Sequence, residues 1–166
     1  MGTSDSFHPL RNAELARVFE DISRLLEMKG DSPFKVRAYR NAAHAIVTYP
    51  EELRDIVARG ADLRDIPGIG DAVAAKTIEL LKSGRLEYFE KLVQSSPPGV
   101  LELMQVPGIG PRTAGRLSAE LGIASIEQLE AALRSGAVAK LPGMGEKTAG
   151  ALLQELEARR PNVPAA

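Results

Sequence analysis

The 166-residue sequence predicts an all-α protein, and three observations carry that prediction. No stretch sustains the two-residue alternation of a strand, whereas apolar residues recur at three- and four-residue spacing along most of the chain. Aromatic residues are only 4% of a sequence that is 44% hydrophobic, so the core must be aliphatic and alanine-rich, as helix packing favours. The pentapeptide Ile66-Pro67-Gly68-Ile69-Gly70 returns as Val106-Pro107-Gly108-Ile109-Gly110 and as Leu141-Pro142-Gly143-Met144-Gly145. Each copy follows a short helical segment, opens a longer one and has an alanine four residues after its second glycine: Ala74, Ala114 and Ala149.

Asn12 is the expected N-cap of the first helix, in which Leu15, Val18, Phe19, Ile22, Leu25 and Leu26 keep helical spacing up to Gly30. Ser32-Pro33 restarts the chain with a cap and a first-turn proline. The second helix is expected to bury Val36, Ala43, Ile46 and Val47 and to stop before Pro50. A short helix from Glu51 to Ala58 leads through Gly60 into the first glycine hairpin. Its second arm runs from Asp71 to Lys82, Gly84 closes it, and another helix covers Leu86 to Gln94. Ser95-Ser96-Pro97-Pro98-Gly99 cannot continue a helix and marks a linker. Beyond it the second hairpin runs through Leu117 to Leu121 and ends at Gly122, Ser125 caps a helix to Arg134, and a last helix spans Glu146 to Arg160. The expected organisation is a disordered tail over residues 1–10, a domain over 11–94 with hairpin 1, a linker over 95–99, a paired-hairpin domain over 100–160 with hairpins 2 and 3, and a tail over 161–166.

Glycine takes positive φ without steric cost, so each Gly-x-Gly reverses the chain tightly and leaves main-chain N–H groups with no Cβ in front of them. The apolar residue between the glycines can plug the turn into the core. Because the second glycine stands where a helix begins, unpaired amides and the positive end of the helix dipole point outward together, which suits an anion such as phosphate. A single Gly-x-Gly serves equally well as a plain helix connector. Three copies with a shared preceding proline and following alanine resemble the helix-hairpin-helix motif, which implies sequence-independent contact with DNA phosphates. No copy is a Rossmann or Walker fingerprint.

The segment from Pro33 to Ile46, followed by Tyr49-Pro50 and by the first hairpin with Lys76 on its second arm, resembles the amino-terminal lyase domain of family X DNA polymerases. The second half is similar to the hairpin-bearing subdomain that follows it in bacterial members. The resemblance covers residues 11 to 158. It implies removal of a 5′-deoxyribose phosphate in base excision repair, with Lys76 as the amine that forms a Schiff base ahead of β-elimination. Such an amine must be neutral to attack, which partial desolvation and neighbouring cations favour. The alternative for Lys76 is a surface lysine snorkelling from the edge of an amphipathic helix.

The same resemblance implies that Lys35 helps hold the 5′-phosphate, that Tyr39 lies beside the lyase lysine, that Phe34 stacks on a base, that Arg64 keeps a positive charge, and that Arg37 and Arg40 compensate for lost cations. Buried packing is the other reading of Phe34, and a solvated face or an acidic partner is the other reading of Arg37 and Arg40. Gly68 and Gly70 would offer amides to the downstream 5′ side, Gly108, Gly110 and Arg112 to another backbone segment, and Gly143, Gly145 and Lys147 to the opposite strand. Alternatively the third hairpin only packs its domain. No cofactor is required by this chemistry; the family resemblance adds a structural K+ or Na+ on the main-chain carbonyls of Arg64, Ile66 and Ile69, and a second on those of Met104, Val106 and Ile109. Three departures, Ala72, Ala75 and Tyr88, stand where relatives have charged residues and imply a weaker phosphate pocket and slower elimination.

The net charge of −1 argues against a non-specific polyelectrolyte binder, and neither side of Ser96 carries net positive charge, so any DNA contact must be local and salt-sensitive. The absence of cysteine excludes disulfides and thiolate metal sites, and two histidines make a zinc centre improbable. No apolar run reaches the ~20 residues of a membrane helix and no signal peptide opens the chain, so a cytoplasmic location is expected. No Asp-x-Asp pair is present for two-metal nucleotidyl transfer, so the chain is read as neither polymerase nor nuclease, and as free-standing or a piece of something longer. The expected partner is gapped, nicked or 5′-phosphorylated DNA, together with other repair proteins or a separate polymerase. The rival readings are a non-catalytic, structure-selective DNA clamp and a protein-interaction module.

Overall fold

Helix α1, Asn12–Met28, and helix α2, Pro33–Thr48, form the most extensive helix pair of the protein. A computed structural model describes residues 8–159, and every regular element among them is helical. The chain divides into two compact units, one ending at Ser95 and the other beginning at Ser96.

In the first unit, Leu15, Phe19, Ile22 and Leu26 of α1 meet Val36, Tyr39, Ala43 and Ile46 of α2, all buried. Each fully buried large side chain contributes roughly 1.5–3 kcal/mol, so this pair is the main source of the unit's stability. Helix α3, Leu53–Ala58, and a single 3-10 turn at Leu63–Asp65 bring the chain to the first hairpin. Helix α4, Asp71–Ser83, forms its second arm and ends at Gly84; α5, Glu87–Gln94, packs beside α1.

Three expectations are corrected here. Asn12 is not the cap of α1, which starts after Arg11. Its side chain instead ties α1 to α3: the Asn12 amide donates to the Glu51 carbonyl and Asn12 Oδ1 accepts the Leu53 N–H, both at 2.8 Å. Leu53 is the first residue of α3, so the amide satisfies a helix end 41 residues away. Val47 is 52% exposed, because the buried stripe of α2 follows 36, 39, 43 and 46 and leaves 47 on its outer edge. Within the expected N-terminal tail, the described residues are held: the His8 N–H donates to the Leu81 carbonyl at 2.7 Å and Leu10 packs against the core. Residues 1–7, Arg160 and the expected tail over 161–166 lie outside the described residues.

The second unit contains α6, Val100–Met104, α7, Pro111–Leu121, α8, Ile126–Ser135, and α9, Gly145–Arg159. Ser125 caps α8 as expected, its hydroxyl accepting the Gln128 N–H at 3.1 Å. Gly99 precedes α6 at φ 76°, and a Cβ there would collide with the Ala124 carbonyl oxygen. The two hairpins of this unit contact one another's second arms. A Cβ at position 108 would lie 3.2 Å from Leu152 Cδ2 of α9, and one at 143 would lie 3.9 Å from Arg116 Nη1 of α7. Each turn of this unit thus lies near the second arm of the other hairpin.

Candidate nucleic-acid interface

The three glycine turns are built alike up to their last residue. Ile69, Ile109 and Met144 are buried and plug each turn, and Ala74, Ala114 and Ala149 are buried behind them. Each turn is closed by one backbone bond, from Ile69 N–H to Ile66 O, Ile109 N–H to Val106 O and Met144 N–H to Leu141 O, at 3.0–3.1 Å. The first glycines, Gly68, Gly108 and Gly143, have φ of 96°, 95° and 82°, which a side chain would resist.

The second glycines separate hairpin 3 from the others. Gly70 and Gly110 are extended at φ −93° and −89° and cap α4 and α7, whereas Gly145 has φ 60° and already belongs to α9. In hairpin 1 the first bond into the helix runs from Ala74 N–H to Gly70 O, so the amides of Asp71, Ala72 and Val73 precede it. In hairpin 2 the equivalent bond is Ala114 N–H to Gly110 O, and Pro111 removes one of the three amides. Arg112 is exposed at that helix start, and Lys147 is exposed near the start of α9.

The helix start of hairpin 1 carries Asp71 where hairpin 2 has Pro111, and Ala72 where hairpin 2 has Arg112. Arg64 lies between two carboxylates, Nη2 at 2.9 Å from Asp62 Oδ2 and Nη1 at 3.1 Å from Asp71 Oδ1. The hydrogen bonds to Asp62 and then Asp71 push the guanidinium pKa further up, and Arg64 holds the Asp62 carboxyl below its usual range. The positive charge expected at Arg64 is therefore matched by acid in this state. Arg40 is likewise paired, Nη2 at 3.6 Å from Glu27 Oε1 of α1.

Lys76 lies midway along α4 and is half-buried between aromatic rings. Its Nζ is 4.6 Å from the centroid of Tyr88 and 5.9 Å from that of Tyr39. Lys35 Nζ lies 5.7 Å from the Tyr88 ring and 3.9 Å from Asp31 Oδ2. Tyr88 stacks on Tyr39 at 6.0 Å, and Tyr39 on Phe19 at 6.2 Å, so the aromatic column runs from the core to the two ammonium groups. Burial, followed by the neighbouring Tyr88 phenol, pushes the Tyr39 hydroxyl pKa up to about 12. The Tyr88 hydroxyl is buried beside that of Tyr39.

Lys35, Tyr39 and Lys76 thus lie together, as the family resemblance implied. Tyr88 joins them, although the sequence marked it only as a departure from its relatives. Phe34 stands apart at 79% exposed, with the Arg37 guanidinium 6.0 Å from its ring, so it is not a core residue. Among the described residues no three His, Cys, Asp or Glu side chains cluster as a metal site, and no helix is long and apolar enough to cross a membrane.

Comparison with known proteins agrees with this architecture. Residues 10–86 match the family model described as a helix-hairpin-helix domain, and residues 100–158 match that of a SAM-like helix-hairpin-helix tandem. The chain is 31% identical over 147 residues to the DNA polymerase/3′-5′ exonuclease PolX of Bacillus subtilis, covering 89% of the chain and 25% of that relative. It is 29% identical over 103 residues to the UvrABC system protein C of a Parafrankia species, covering 61% of the chain and 14% of that relative. The chain therefore spans a quarter or less of the length of these relatives. The chain thus carries a helix-hairpin-helix domain followed by a helix-hairpin-helix tandem, and over most of its length its sequence is similar to that of the PolX of Bacillus subtilis.

Proposed function

We propose that this chain binds DNA without regard to base sequence, at gaps, nicks or 5′-phosphorylated ends in repair, and that Lys76 acts there as a Schiff-base lyase. The observation that carries the reading is the convergence of Lys35 and Lys76 on the Tyr39–Tyr88 aromatic pair, on the unit that also holds hairpin 1. The relatives' names, a DNA polymerase/3′-5′ exonuclease and a UvrABC system protein, support a place in DNA metabolism.

In this reading the amides of Asp71, Ala72 and Val73 and the ammonium of Lys35 hold the 5′-phosphate. The Lys76 amine attacks the C1′ aldehyde of the abasic sugar, water leaves, and an imine forms. Loss of a C2′ proton then expels the phosphate from C3′, and hydrolysis of the imine returns the lysine. Hairpin 2, with Arg112, contacts a further backbone segment. Hairpin 3, with Gly143, Gly145 and Lys147, contributes least, because its second glycine departs from the geometry shared by the other two. Phe34 is available for a base to stack on.

The carbonyls of Arg64, Ile66 and Ile69, and of Met104, Val106 and Ile109, are neutral hard donors of the type that suits K+ or Na+. The Ile66 and Val106 oxygens each accept one turn N–H and keep a second lone pair, so the donor set fits a monovalent ion. Such an ion would add positive charge beside the hairpin amides.

Borohydride trapping tests the reading on a one-nucleotide gap bearing a 5′-deoxyribose phosphate. The wild type is expected to give a covalent adduct that Lys76→Ala loses while keeping DNA affinity within about threefold, since the phosphate is left to Lys35 and the hairpin amides. An adduct persisting in Lys76→Ala would assign the chemistry to another amine. Binding without any adduct would leave a DNA clamp, a reading favoured by the reciprocal hairpin contacts of the second unit, which do not involve Lys76.

A further inference from the structure

The two hairpins of the second unit present their first glycines to unlike neighbours. The Gly108 turn is met by Leu152 of α9, which is buried. The Gly143 turn is met by Arg116 of α7, whose Nη1 would lie 3.9 Å from a Cβ at that glycine. Aligning the pentapeptides that begin at Val106 and Leu141 sets Leu152 against Leu117, both buried, and Arg116 against Ala151. The leucines belong to the packing that both copies share, whereas the arginine is an addition to one of them.

Arg116 is weakly engaged where it stands. Its carboxylate partner is Glu120, one turn on in α7 and 3.4 Å from Nη2, and among the described residues no hydrogen-bond acceptor meets Nη1. Both side chains of the pair are more than a third exposed, and an arginine four residues before its acid is the weaker orientation on a helix. Arg64 and Arg134, by contrast, each bridge two carboxylates. The turn that Arg116 faces is open, with Pro142, Gly143, Gly145 and Lys147 exposed. Over residues 141–147 the charges of Glu146 and Lys147 cancel, so the guanidinium is what makes this turn positive.

We propose that Arg116 is the backbone-phosphate contact of hairpin 3, delivered from the second arm of hairpin 2. This rests on the reading of the chain as a sequence-independent DNA binder. A guanidinium is a planar fork of five donors, which suits the two non-bridging oxygens of a phosphate diester. A diester carries one negative charge, so one arginine balances it, and the contact takes internal backbone without need of a chain end. Gly145, at φ 60° and inside α9, does not repeat the extended entry at Gly110, and the arginine fork supplies donors where the hairpin's own amides are weakest. The tandem then holds two backbone segments by different means, hairpin 2 by amides and Arg112, hairpin 3 by Arg116.

The test is fluorescence anisotropy of the full chain on an intact duplex across a salt series, with thermal melting in parallel. Arg116→Gln is expected to lower affinity roughly fivefold at low salt, to reduce the logarithmic salt slope by about 0.9, the share of one phosphate, and to leave the melting temperature unchanged. Arg116→Lys keeps the charge and loses the fork, so its slope is expected to match that of the wild type with a smaller loss of affinity. Glu120→Gln releases the guanidinium and is expected to raise affinity roughly twofold. Affinity and slope unchanged in Arg116→Gln, beside a wild type that binds, would overturn the contact and leave the DNA reading standing. A lower melting temperature with an unchanged slope would make Arg116 a packing residue of hairpin 3 and overturn the contact as well. A wild type without affinity for the duplex at the lowest salt would overturn the DNA-binding reading itself, and this inference with it.

Discussion

Asp71 begins α4 beside the amides that are to receive a phosphate, and it already shares the Arg64 guanidinium with Asp62. A carboxylate in a first helical turn stabilises the helix dipole but repels an incoming anion from the same position. Arg64 and the two acids together make the rim of hairpin 1 negative, whereas Arg112 makes that of hairpin 2 positive. Asp71→Asn removes one negative charge and frees one arm of Arg64, so affinity for 5′-phosphorylated gapped DNA is expected to rise roughly three- to tenfold at low salt. Fluorescence anisotropy checks this, and affinity unchanged or reduced would mean that phosphate does not approach hairpin 1. The relevant pairing was not legible in the sequence, because Asp62, Arg64 and Asp71 are brought together only by the 3-10 turn and the glycine reversal. Tyr88 was hidden for a related reason: its place beside Lys35 and Lys76 depends on how α5 returns to the α1–α2 pair.

At the scale of elements, the glycines differ in what they do. Gly99 lies in a left-handed conformation with its missing Cβ directed at the Ala124 carbonyl, so Gly99→Ala is expected to cost more than about 2 kcal/mol through strain and displaced backbone. Gly150 sits within α9 with nothing near a Cβ, and Gly150→Ala is expected to stabilise by roughly 0.5–1 kcal/mol. Chemical denaturation of the two variants checks both signs, and equal effects would contradict this account of the turn before α6. The helices themselves were legible. Apolar spacing placed α1, α2, α4, α7, α8 and α9 within a residue or two, because each stripe faces the core of its own unit and glycine or proline marks their ends. What the pattern missed was tertiary: Asn12 serves α3 instead of its own helix, and Val47 rotates off the stripe on α2. The different φ of Gly145 was equally invisible, since the third pentapeptide reads like the first two.

At the scale of the molecule, two helical units carry three amide-presenting turns on a chain whose charges nearly cancel. In the proposed function, affinity for DNA comes from a few placed groups, which act only where phosphate and helix end meet. Such an arrangement favours selection of DNA shape and chain ends over base sequence, because phosphate contacts contain no base information. The similarity to PolX spans both units, so the arrangement is shared along the length of the chain and is not confined to one motif. The measurement that tests this most directly is equilibrium binding of the full chain to a one-nucleotide-gapped duplex with a 5′-phosphate, against an intact duplex, across a salt series and in two unrelated base sequences. The account predicts tighter binding to the gap, no dependence on base sequence, and a logarithmic salt slope equivalent to only a few neutralised phosphates, at roughly 0.9 per contact. No affinity for either duplex at the lowest salt, or a preference for one base sequence, would contradict it.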